Sequence, residues 1–118
     1  MRRIGALAAV LLVVVVGGTP ASAADQRVIA FNFSYLPNPV QVKAGDGLEL
    51  VNLDFLSGEG HSITHAAKSE SGRLFASPVV AAGQTGTVTG ISVLPPGSYP
   101  ITCEVHPFMT GTLEVSAP

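Results

Sequence analysis

An all-β sandwich is the fold this sequence predicts, and three observations carry that expectation. Segments of alternating apolar and polar residues recur along the chain, the period of strands that bury one face. Clusters of Gly, Pro, Asn and Asp separate them roughly every eight to twelve residues, the spacing of a sandwich built from short strands. Past the N-terminal leader, no stretch holds a helical period of useful length. The pattern amounts to roughly seven or eight strands.

The chain has 118 residues. Met1-Arg2-Arg3 is basic, Ile4 to Val16 is an apolar run, and Ala21-Ser22-Ala23 is a small-residue cleavage site. That is the make-up of a secretory signal peptide. Residues 1–23 are therefore expected to be cleaved, leaving residues 24–118 as a single domain exported to the periplasm or the extracellular space. The apolar run is too short to favour a membrane span, and no later segment approaches the ~20 apolar residues that one needs. Loss of the leader removes Arg2 and Arg3 from the six basic residues and none of the eight acidic ones, so the mature chain is more acidic than the full chain at −2. This argues against nucleic acid, whose binders cluster Lys and Arg on one face.

The remaining length supports one hydrophobic core. Secreted domains of this size often lean on disulfides, yet Cys103 is the only cysteine and can form none within the chain. Holding a metal ion would give a lone thiol outside the cell a purpose.

The elements follow in order. Arg27 to Tyr35, rich in Val, Ile and Phe, reads as a strand, and Leu36-Pro37-Asn38-Pro39 ends it. Val40 to Lys43 alternates as a half-buried strand does, and Ala44-Gly45-Asp46-Gly47 turns the chain. Leu48 to Leu53 resumes the alternation, with Leu48 and Leu50 on one face. Ser57-Gly58-Glu59-Gly60 is a loop before a short strand from His61 to His65. Ala66 to Ala82 is the least legible region, although Arg73-Leu74-Phe75 is expected to pack back on the core. Gln84 to Ile91 has strand spacing, and Pro95-Pro96-Gly97 leads into a closing pair of strands, Tyr99 to Cys103 and Thr112 to Val115.

Between those last two strands lie Cys103, His106 and Met109, a thiol, an imidazole and a thioether at spacings of three. Thiolate and thioether are soft ligands and imidazole is a borderline one. A second imidazole from elsewhere would complete a His₂Cys set with an axial Met, the arrangement of blue-copper electron-transfer centres. Zinc is the chemical rival, but a thioether is a poor zinc ligand and Met109 would be idle. Singly, Cys103 reads as a small buried hydrophobe and Met109 as core filler; the fixed offsets among the three argue for a site. Two upstream histidines are available, His61 and His65, on one face of a short strand and about 13 Å apart at ~3.3 Å per residue. One copper ion cannot take both.

The chain resembles a cupredoxin of the plastocyanin/azurin family, most closely the amicyanin group. The resemblance runs through Val42-Lys43-Ala44-Gly45-Asp46, through Asn52 and Asp54 ahead of Gly60-His61-Ser62-Ile63-Thr64, and through Pro96-Gly97-Ser98-Tyr99. It ends on Cys103-x-x-His106-Pro107-Phe108-Met109-x-Gly111, the short version of the loop. It implies a Greek-key β-sandwich with one copper per chain, held by His61, Cys103, His106 and Met109. His65 is left as a solvated surface residue. Two positions depart from the pattern: Glu104 follows Cys103 where relatives carry Ser or Thr, and Ser62 follows His61 where Asn is frequent. Leu50 stands where relatives often have Trp.

The function this implies is transport of single electrons by a Cu(I)/Cu(II) couple, with no substrate and no catalytic residues. The alternative is a copper-binding protein for trafficking or storage. A copper oxidase or nitrite reductase needs further sites built from several more histidines, and the chain has three in all. Partners are expected to be larger redox proteins, a donor dehydrogenase or an acceptor cytochrome or oxidase. They would dock on a monomer near His106, Pro107 and Phe108, with Pro37 and Pro39 as further candidates for the apolar surround.

Overall fold

The structure is a computed structural model that describes residues 24–67 and 69–118. The expected signal peptide lies outside the described residues. Eight strands form two four-stranded sheets, and no α-helix occurs among the described residues.

The strands are β1 (Asp25–Phe31), β2 (Ser34–Leu36), β3 (Val40–Lys43), β4 (Gly47–Asn52), β5 (Thr64–His65), β6 (Thr85–Val88), β7 (Gly97–Thr102) and β8 (Thr110–Ser116). One sheet has the order β2-β1-β4-β6 and the other β3-β8-β7-β5. Each contains one parallel pair, β1 with β4 and β3 with β8. The chain passes from one sheet to the other after β2, β3, β4, β5 and β6, so neighbours in sequence rarely pair. This is the expected Greek-key β-sandwich.

The alternation in sequence becomes the core. Val28 and Ala30 of β1, Leu48 and Leu50 of β4, Val40 and Val42 of β3, and Leu113 and Val115 of β8 all point inward and are buried. The pairing register sets Val28 beside Leu50 and Val42 beside Val115. A slip by one residue would turn these sets outward, so the buried face itself specifies the register.

Three local readings are corrected. The segment Arg27 to Tyr35 is two strands folded into a hairpin rather than one strand. Asn32 and Phe33 form the turn, both with positive φ (48° and 56°) as a tight two-residue hairpin requires. Asn tolerates that conformation, whereas Phe does so only at a cost of roughly 1–2 kcal/mol. The His61 to His65 segment is strand only at Thr64–His65, and His61 instead forms an isolated bridge with Val80. The expectation for Arg73-Leu74-Phe75 holds for Phe75, which is buried, but not for Leu74, which is exposed.

Candidate metal centre

One end of the sandwich gathers three segments: the β1–β2 turn, the loop after β4, and the loop from Cys103 to Met109 between β7 and β8. The last is short and closed by its own backbone. The Met109 N–H donates to the His106 carbonyl at 2.8 Å, and the Cys103 N–H donates to the Met109 carbonyl at 3.0 Å. Cys103 and Met109 therefore sit side by side across the loop, both buried, while Glu104, Val105, Pro107 and Phe108 face solvent.

His61 reaches the same place from the other sheet crossing. Its backbone exchanges two hydrogen bonds with Val80, at 3.0 and 2.7 Å. Asn52, fully buried, fastens the loop that leads to it. Its amide donates to the carbonyls of Glu59 and Val80, and its oxygen accepts from the Asp54 N–H. Asp54 is thereby turned inward, where its carboxylate lies 2.8 Å from His61 Nε2.

The result is a cluster of donors. One donor atom each from His61, Cys103 and His106 lie within 4.8 Å of one another. His106 Nδ1 is 3.7 Å from Cys103 Sγ. His61 is wholly buried, and its Nδ1 has no hydrogen-bond partner while Nε2 is engaged by Asp54. A buried imidazole nitrogen left unpaired is costly. With Nε2–H donated to a carboxylate, Nδ1 carries the free lone pair, which is the tautomer a metal ligand needs. The donor types and this orphaned nitrogen fit copper.

The hydrogen bonds around the cluster act on its charges. The His61 N–H holds the Asp54 carboxyl below the usual carboxylate range, aided by Ser57, against burial, which pushes it up. The Ser62 N–H donates to Cys103 Sγ at 3.3 Å, and the Ser62 hydroxyl stands 3.9 Å from the same sulfur. That hydroxyl also accepts the Glu104 N–H at 2.8 Å. Ser62 thus ties the His61 segment to the Cys103 loop. Glu104 enters this link only through its backbone, which is why a residue other than Ser or Thr can occupy that position.

Tyr35 supports the arrangement from below, donating its hydroxyl to the Ser62 carbonyl at 2.7 Å. Burial, with a smaller contribution from Cys103, raises its phenol pKa far above the ordinary value.

Phe33 is the residue the sequence reading missed. From its left-handed turn its ring meets His61 edge-on at 5.5 Å, His106 at 5.0 Å and Phe108 at 5.5 Å. It packs against both imidazoles, whose own centroids lie 5.0 Å apart, so the three rings form a triangle. These contacts offset the cost of Phe at positive φ. An aromatic after Asn in a turn was the only signal, and composition rules read it as strand.

His65 stays out of the cluster, as expected, but it is not a freely solvated histidine. It is half-buried, stacked on Phe75 at 5.1 Å, and its Nδ1 accepts the Leu74 N–H at 3.2 Å.

Comparison with known proteins agrees with this geometry. Residues 6–115 match the sequence model of the Cupredoxin-like domain family. A reduced amicyanin variant superposes with a TM-score of 0.60 at 24% identity, covering 85% of this chain and 88% of that one. An amicyanin variant in the Cu(I) form gives 0.60 at 23% identity, covering 78% and 82%. The copper-containing nitrite reductase from Thermus scotoductus SA-01 gives 0.61 at 24% identity, with 78% of this chain covering 22% of that larger protein. No curated protein is similar enough in sequence to count as a match. With the family match spanning nearly the whole chain, and with the sandwich and the His-Cys-His cluster in place, this protein belongs to the cupredoxin family.

Proposed function

We propose that the protein is an exported, monomeric blue-copper carrier of single electrons, with one copper held by His61, Cys103, His106 and Met109. The observation that carries the reading is the convergence of donor atoms from His61, Cys103 and His106, together with the buried, unpartnered Nδ1 of His61. Copper, when bound, supplies the Cu(I)/Cu(II) couple. The chain's own part is to hold the donors still. Asp54 fixes the His61 tautomer, Ser62 donates to the Cys103 sulfur, and Phe33 packs against both imidazoles. Donors fixed in this way need little rearrangement when one electron is gained or lost. No helix among the described residues is long and apolar enough to cross a membrane.

The His106 side chain is 14% exposed and Phe108 beside it is 70% exposed. His106 is therefore where a partner comes nearest the centre. A small apolar patch round it suits the weak, short-lived docking of redox encounters.

The test is the visible spectrum of the Cu(II)-loaded protein together with its rate of electron exchange. An intense thiolate-to-copper band with fast exchange is expected. A colourless Cu(II) protein would overturn the blue-copper assignment, and a blue protein that exchanges slowly would favour copper storage or trafficking. His65→Ala should leave the band intact, since His65 packs against Phe75 away from the cluster. Loss of the band there would mean that the upstream ligand is His65.

Phe33→Ala should lower stability by about 1–2 kcal/mol and shift the visible band. In the copper-free protein it should also broaden the ring resonances of His106. An unchanged spectrum with unchanged His106 signals would show that the ring does not position the imidazole.

A further inference from the structure

We infer that the face around His106 docks a positively charged redox protein, with Glu59 as the anchoring carboxylate. The inference rests on the electron-carrier reading and adds the charge of the partner. Glu59 belongs to the loop fastened by Asn52, and Asn52 holds the Glu59 backbone carbonyl at 2.9 Å. Its carboxylate is about half exposed at 54% and stands 3.6 Å from the outer nitrogen of His106, Nε2. An anion open to solvent thus stands beside the outer nitrogen of the imidazole.

The rest of the face has the same character. Phe108 and Val105 are exposed apolar residues, Phe33 is half-buried beneath Phe108, and Glu104 adds a second exposed acidic residue. Arg27 and Lys43 lie toward the other end of the sandwich. Arg27 pairs with Glu49 in the first half of β1, and Lys43 ends β3 opposite Ser116. At ~3.3 Å per residue, Arg27 is about 13 Å and Lys43 about 20 Å along the strands from this end. Arg73 precedes Leu74, which bonds to His65 down the sheet from Cys103. Among the described residues, the face is therefore an apolar centre with an acidic rim.

A partner presenting Lys or Arg around an apolar cofactor edge complements both features, and an acidic partner would meet Glu59 and Glu104 unscreened. Such charges steer encounter and orientation, and salt weakens them. A cation from the partner would bring its own cofactor toward the His106 edge.

The experiment measures transfer of one electron from the reduced protein to a lysine-rich ferricytochrome c, which becomes ferrocytochrome c with no proton or atom exchanged. The same cytochrome with its lysines acetylated serves as the uncharged comparison. The ratio of the two rates cancels any effect of Glu59 on the potential of the centre itself. In the wild type at low salt the native cytochrome should react faster, and the advantage should shrink as salt is raised. Glu59→Gln should reduce that ratio roughly five-fold, the weight of one unit charge at about 4 Å in water. Asp25→Asn, at the opposite end of β1, should leave the ratio unchanged.

A ratio near one in the wild type, or one unaffected by Glu59→Gln while exchange stays fast, would overturn this inference and leave the carrier reading standing. If neither cytochrome nor hexaammineruthenium exchanges electrons with the copper-loaded protein, the carrier reading falls as well.

Discussion

Cys103→Ser is expected to abolish the visible band of the Cu(II)-loaded protein and to weaken copper binding by orders of magnitude. A thiolate is both the soft donor that selects copper and the source of the charge-transfer absorption. A serine hydroxyl is a hard donor that stays protonated in the same place. The substitution is close to isosteric, and Cys103 is buried in a loop closed by its own backbone hydrogen bonds. The copper-free variant should therefore fold, with an unfolding transition within about 1 kcal/mol of the wild type. Absorption spectroscopy, copper titration and chemical denaturation together check the prediction. A variant that keeps the intense band would remove the thiolate from the centre.

Asp54→Ala should weaken copper binding about 10- to 100-fold, the usual weight of a carboxylate behind a ligating histidine. It should also cost the copper-free protein about 1–3 kcal/mol, because the buried Nε2–H of His61 is left without an acceptor. Without that acceptor neither tautomer of His61 is favoured, and the Nδ1 lone pair is no longer assured. Asp54→Asn, whose amide oxygen can still accept the N–H, should recover much of both losses. Titration with Cu(I) and Cu(II) and denaturation of the copper-free variants separate the two effects. Wild-type affinity in Asp54→Ala would mean that His61 is oriented by its backbone bridge to Val80 alone.

What could be read from the sequence follows from how local each feature is. Val40 to Lys43 and the buried residues of β4 carry their own period of two, and strand bounds there match the expectation closely. Where the signal was short, the reading slipped: Asn32-Phe33 looked like strand because Phe is β-prone, and only the antiparallel pairing of β1 with β2 shows the turn.

The donors of the candidate centre belong to the legible part. Cys103, His106 and Met109 lie within one loop, so their spacing alone brings them together, and thiol, imidazole and thioether name a soft metal. The sequence alone determined the all-β class, the donor chemistry and the net negative charge of the chain. Tertiary structure decided the rest. It set Asp54 behind His61, Ser62 between the two segments, Phe33 against both imidazoles, and Glu59 on the outer nitrogen of His106. All but the first join residues from different loops and span dozens of positions. No periodicity records them, because a loop's conformation is fixed by what its buried polar groups find across the sandwich.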